Sequence, residues 1–207
     1  MPLSSGRAFE PGHGRAVDGR ILAMERKPGA LTLSEDDRRV VAVWAADCAE
    51  RTLPLFEAKS PGDIRPRAAI EGVRAFARGE MRVGPVRALS AQAHAAAREV
   101  SDPAAVAAAR AAGHAAGVAH MAAHARGVVY AAKAAGLAAA DDPAAVANEV
   151  RWQLSHASPT VRDVLRRLPP PTRSAGLLGV LISELYAEVA SEVPSPSDRE
   201  HNAGEHT

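Results

Sequence analysis

The chain is short of the residues that most often lock a fold from outside the core. One residue of 207 is cysteine, Cys48, so a disulfide scaffold is excluded. Aromatic residues make up 3%, and there are no runs of Val, Ile, Thr and aromatics broken by turn residues, as a sandwich or barrel requires. Neither sign of charge dominates: 25 Lys and Arg stand against 24 Asp and Glu, a formal net charge of +1, which does not indicate a polyanion-seeking protein. Long uncharged apolar runs are missing as well. The most apolar stretch, residues 104–140, is interrupted by Arg110, His114, His120, His124, Arg126 and Lys133, which leaves no span suited to a bilayer. The first thirty residues have no apolar run of the length an export signal needs, so the expected location is the cytoplasm.

Alanine fills the space these absences leave. There are 47, densest between Ala104 and Ala147, and alanine loses least on entering a helix. The expected class is all-α, a single compact bundle or helical-hairpin array of six to eight antiparallel helices between Ser34 and Tyr186. Of the 25 basic residues 22 are arginine; with so much alanine this reflects GC-rich coding, and arginine content is not a functional signal.

Residues 1–33 lack periodicity and predict a flexible tail. Ser34 then caps a first turn of Glu35, Asp36 and Asp37, and Val40, Val41, Trp44 and Cys48 share one helical arc that Ala42, Ala45, Ala46 and Ala49 widen. Pro54 kinks or ends that helix. Asp63 is placed to cap a second helix with Pro66 in its first turn and Ile70, Val73 and Phe76 on its apolar face; a third starts at Pro85. Asp102-Pro103 and Asp142-Pro143 both precede Ala-Ala-Val, forty residues apart, a match that any Asp-capped, alanine-rich helix would show. Gly113 and Gly117 allow close backbone approach, with a break near His120. A short helix follows Pro159, and the triple proline from Pro169 closes a domain over residues 34–168. Leu177, Leu178, Leu181, Ile182, Leu185, Tyr186 and Val189 stripe one more helix over 174–190, which docks on its own domain or, alternatively, on a second copy of the chain as a homodimer. An acidic, disordered end over 191–207 completes the chain. Trp44, Phe56, Ile70, Phe76 and Trp152 are expected to be substantially buried.

Few residue sets carry chemistry. His114, His120 and His124 fall within eleven residues, and the last two have the i, i+4 spacing that binds zinc on a helix. Met121 stands where that motif needs a glutamate, and spacing identifies no third ligand. The structural alternative is that the imidazoles cap the helix break or pair with a carboxylate such as Glu149. Cys48, on an apolar arc, reads as a core residue. No phosphate loop, GxSxG or CxxC is present, so no catalytic residue, metal or cofactor is expected. Residues 65–98 hold seven arginines and two acids, while residues 35–63 hold seven acids and four bases. Such asymmetry suits solvated faces, a protein partner, or, for the basic block, phosphate.

The run WAADCAERTLPLFEAKSPGDIRPRAAIEGVRAF, with SAQAHAAAREV, AAGHAAGVAHMAAHARGVVYAAKAAG and EVRWQL, resembles the immunity-five-like family of bacterial immunity proteins. The resemblance covers about Ser34 to Leu168. Its most specific pieces are Trp44, Cys48, Ala49 and Glu50; Pro61, Asp63, Arg65, Pro66 and Ile70; and Gly113, His114, His120, His124 and Tyr130. It departs around His120, where Met121 and Ala122 stand in place of a proline. The resemblance implies a small helical protein that neutralises a cognate toxin domain delivered between competing bacteria, by occlusion and without turnover. It brings no catalytic residue. Asp63, Arg65, Arg67, His114, His120 and His124 are the candidates for binding. A nucleic-acid-associated protein using the Arg65 to Arg98 block, and a helical metal protein using the three histidines, are the alternatives.

Overall fold

The computed structural model describes residues 33–169 and 176–191. Of the proposed tail only Leu33 is described, and it is buried in the core rather than free; of the acidic end only Ser191 is described, as the last residue of a helix. The rest of both, and the side chain of Tyr186, lie outside the described residues. Helix α1, Glu35–Glu50, starts where Ser34 predicts: Ser34 Oγ accepts from the Asp37 amide at 3.0 Å and the Asp37 carboxylate accepts from the Ser34 amide at 3.2 Å. The two orphan amides satisfy each other's side chains. A one-way cap opens α5, Pro103–Gly117, α7, Pro143–Ser155, and α8, Pro159–Arg166, where Asp102, Asp142 and Ser158 each accept a first-turn amide ahead of a proline that has no amide to satisfy.

Other boundaries differ from expectation. Pro54 does not merely end α1. It occupies the first turn of a separate short helix, α2, Leu53–Glu57, whose Leu53 and Phe56 are buried. α3, Arg65–Ala77, has Ile64 as its cap, while the Asp63 carboxylate accepts from the Arg65 amide one position further on. α4, Val83–Glu99, begins two residues before Pro85, which its first turn accommodates. After α5 come a 3₁₀ helix, Ala122–Val128, then α6, Val129–Ala138, α7, α8 and α9, Leu177–Ser191. Nine α-helices and no strand occur among the described residues. α2 is the one that takes the count past eight.

α5 lies at the centre and touches α1, α2, α3, α4, the 3₁₀ helix and α6. Eleven of its 15 residues are buried, every one alanine or glycine. Its neighbours supply the bulk: Leu53, Phe56, Ile70, Phe76 and Trp44 are all nearly inaccessible. Small residues let neighbouring backbones come close, so the core is dense without large side chains at its axis. Cys48 is buried in it, and burial pushes its thiol pKa well up, as a core residue's should be. The Asp-Pro repeat shares a cap but not an environment. α5 is buried on nearly all sides, whereas α7 buries only Glu149 and Gln153.

Trp152 is the least buried of the five residues expected to be substantially buried, although it packs against the core. It is only partly buried, lying under the Arg51 guanidinium at 4.0 Å and stacked on His156 at 3.9 Å, because a helix that buries one polar face leaves its aromatic at the rim. α9 packs on α6, α7 and α8 and buries Leu181, Leu185 and Val189. Arginines close several helix ends by donating to free carbonyls: Arg38 to Ala119 and Leu33, Arg162 to Leu154 and Ala157, Arg166 to Val189. No helix among the described residues is long and apolar enough to cross a membrane.

A side chain enlarged inside α5 has nowhere to go. Ala112, with no exposed surface, replaced by Leu should cost about 1–3 kcal/mol by overpacking, read as a lower urea midpoint, whereas the same change at the exposed Ala138 should be close to neutral.

Candidate functional site: a seated histidine cluster

The end of α5 sets the cluster. Gly113 and Gly117, one turn apart, lack the methyl that their neighbours carry, and each provides a flat seat for an imidazole. A Cβ at Gly113 would lie 2.7 Å from the His94 ring, and one at Gly117 would lie 2.8 Å from the His124 ring. Gly127, in the 3₁₀ helix, does the same for His114, whose Cβ and Cγ an added methyl would overlap. Ser90 Oγ donates to the Gly113 carbonyl at 2.7 Å and ties α4 to this point.

Four imidazoles are thereby packed edge to edge. His94 meets His114 at 5.0 Å in a T-shaped contact, His114 meets His124 at 5.2 Å, and His124 meets His120 at 5.0 Å, measured between ring centroids. Tyr130 stacks on His114 at 5.0 Å, with the Arg110 guanidinium 6.0 Å from the tyrosine ring. The structure therefore brings His114, His120 and His124 together and adds His94 and Tyr130, which the candidate set omitted. His94 is remote in sequence; Gly113, read from the sequence as a place for a neighbouring backbone, seats its ring instead.

His120 and His124 do not share a helix face. α5 ends at Gly117, His120 lies in the turn, Met121 is extended at φ −149° and ψ 107°, and His124 sits in the 3₁₀ helix. The i, i+4 premise of a zinc site fails because the backbone breaks between the two. Nor do the rings pair with Glu149, which instead accepts from Arg51 at 2.9 Å and from Gln153 at 3.4 Å. The partner of His114 is His124, Nδ1 to Nδ1 at 3.0 Å. Such a bond needs one Nδ1 to carry a proton and the other to accept, so two neutral rings must take opposite tautomers. Burial pushes the pKa of His114 down to about 3, helped by His94, His124 and Arg110, and that of His124 down to about 4, helped by His120 and His94. His94 and His120 are lowered too, first by burial and then by Arg110 and Arg87 respectively. The Nδ1 of His120 is buried without a partner. Among the described residues no three His, Cys, Asp or Glu side chains converge to hold a metal ion. A cleft of about 280 Å³ separates His114, His124, Arg126 and Tyr130 from Leu178 and Ile182 of α9.

Asp63, Arg65 and Arg67 belong to a different region. Arg65 donates to Asp63 at 2.6 and 2.8 Å and to Glu99 at 2.5 and 3.2 Å; Arg67 grips Glu57 at 2.7 and 2.8 Å. Arg74 spans Asp47 and Glu50, and Arg78 binds Glu80. Four of the seven arginines in the basic block are thus matched to carboxylates, mostly from the acidic stretch before it. The charge asymmetry along the sequence closes on itself in space. These arginines hold the pKa values of Asp63, Glu50 and Glu99 below the ordinary carboxylate range. Amid the ladder Ile64 is 71% exposed.

A family model described as Imm-5 like putative immunity protein matches residues 31–160, from the start of α1 to the start of α8. No curated protein and no solved structure matches the chain.

Two outcomes test the cluster. Unfolded histidines take up protons near pH 6.5, whereas folded His114 and His124 resist until about 3 and about 4. Between those limits the unfolded chain holds more protons, so stability is full above pH 6.5 and falls as the pH drops. The arginine-bound carboxylates add their own loss only below about pH 4.5, which leaves a window for the imidazoles. There the slope for His114 should approach about 1.4 kcal/mol per pH unit, and His114→Asn should flatten it in urea titrations at stepped pH. Gly127→Ala, which collides with the fixed base of the His114 side chain, should cost about 1–3 kcal/mol in the same assay.

Proposed function

The chain belongs to the Imm-5 like immunity-protein family, and from that premise we propose that it binds a cognate bacterial toxin domain in the cytoplasm and neutralises it by covering the toxin's active surface, with no reaction of its own. The observation that carries this reading is the extent of the match, which spans the scaffold from α1 to the start of α8. A protein of this kind needs rigidity and a complementary face. Rigidity is available from the close-packed alanine core.

For the face, the proposal is the ladder on α2, α3 and the end of α4. Ile64 offers a large apolar side chain held out to solvent, and beside it Arg65 is already locked to Asp63 and Glu99, and Arg67 to Glu57. Preordered charges lose little freedom on binding, and an apolar anchor within a polar rim is the usual form of an energetic centre in an interface of roughly 1,600 Å². The histidines, on this reading, hold the scaffold and do not touch the toxin.

Co-expression tests both parts. The toxin domain encoded beside this gene, produced in a sensitive host, should stop growth alone and fail to do so when the chain is present, with a one-to-one complex recoverable. A toxin that stays active against cells holding the chain overturns the reading. Ile64→Asp, at an exposed position, should leave the circular dichroism spectrum unchanged and weaken the complex by about thirtyfold or more, the scale of a 2 kcal/mol anchor. Full affinity in that variant would move the interface elsewhere.

A further inference from the structure

A second surface is left unoccupied by everything above. Between α6, α7 and α9 runs a groove of about 550 Å³, walled by Leu137, Val146, Val150 and Leu154 on one side and by Leu177 and Val180 of α9 on the other. Leu177 and Val180 are 49% and 51% exposed, two of the five large apolar side chains so exposed among the described residues. Apolar side chains on both walls of one groove are costly in water.

The charges bordering it are as informative. Lys133, Asp141 and Arg151 lie on the α6 and α7 side, Glu184 and Glu188 on α9. In the ladder Arg65, Arg67, Arg74 and Arg78 are each matched to a carboxylate. Here Lys133, Glu184 and Glu188 make no ion pair among the described residues, and Arg151 donates only to Asn148, at 2.8 Å. One wall carries two bases and one acid and the other carries two acids, and within the chain the bases and the acids of α9 do not meet.

We propose that this groove is the contact between two copies of the chain related by a twofold axis. In such a contact one patch meets itself, so each residue pair occurs twice. Leu177 and Val180 of one copy enter the apolar wall of the other, and Glu184 and Glu188 reach the other copy's Lys133 and Arg151. Both halves of the required complementarity, apolar knob with apolar wall and acid with base, are present on a single chain, which is what self-association demands and a foreign partner does not. The proposal is independent of the toxin reading, since the ladder and Ile64 lie on other elements.

Sedimentation velocity on the full chain tests it. The expected mass is twice 21.5 kDa at micromolar concentration, falling to one chain for Val180→Asp with the helical spectrum intact. Lys133→Glu should weaken the dimer at low salt, and Lys133→Glu combined with Glu184→Lys should restore it, because an isologous contact exchanges both partners at once. A chain that stays monomeric throughout, or a dimer indifferent to Val180→Asp and to the charge reversals, overturns the proposal. A monomer whose groove takes up a fluorescent apolar dye, or that loses toxin binding on Val180→Asp, assigns the groove to another occupant and overturns it equally.

Discussion

The structure depends on the narrowness of α5. A helix whose buried residues are all alanine or glycine presents a thin cylinder, and six elements can close on it because no side chain holds them away. Dispersion gains depend on atoms in contact and not on the size of the groups that carry them, so an axis of methyls packs as well as one of leucines if its neighbours come near enough. The bulk is displaced outward, to Phe56, Phe76, Ile70 and Trp44 on the surrounding helices. The histidine cluster extends the same principle by one step. Where α5 ends, glycines replace alanines, and what fills the last few ångströms is a flat ring. The cluster is a packing solution whose components happen to be titratable. Their neutrality follows from the burial that the packing imposes.

Charge obeys a similar economy of distance. Acids concentrate before Asp63 and arginines after it, and the turn between α2 and α3 folds one group back on the other. α3 is held to α1 through Arg74, to α2 through Arg67 and to α4 through Arg65. Surface ion pairs are individually weak; their more secure contribution is to fix the orientation of exposed side chains around Ile64. Other arginines serve the backbone, donating to carbonyls that helix ends leave free.

Local chemistry was legible in the sequence, and distance was not. Ser34, Asp102, Asp142 and Ser158 mark four helix starts because a cap is a property of three or four adjacent residues. Alanine density announced the class. Pro54 was readable as an interruption but not as the start of α2, because a proline is equally at home after one helix and in the first turn of the next. What was missed turns on the path of the backbone and on contacts between distant segments. Trp152 packs at the edge of the core because α7 turns Glu149 and Gln153 inward, where Gln153 donates to Val128 and its carbonyl accepts from Trp44. His120 and His124 were placed on one face by spacing, yet the break at Met121 separates them. His94 was invisible because its reason for being there is Gly113, on another helix.

A core built from alanine is also exposed to the genetic code in a particular way. A single base change in an alanine codon gives only Gly, Val, Ser, Thr, Pro, Asp or Glu: a helix breaker, a β-branched residue, or a polar or charged group with no partner. In α5 nearly every such replacement is excluded, by the space available or by the desolvation of what enters it. Inherited variation is therefore driven off the axis and onto the outer faces of the surrounding helices. The centre of this molecule should be its slowest part to change, with the outer faces left freer to diverge.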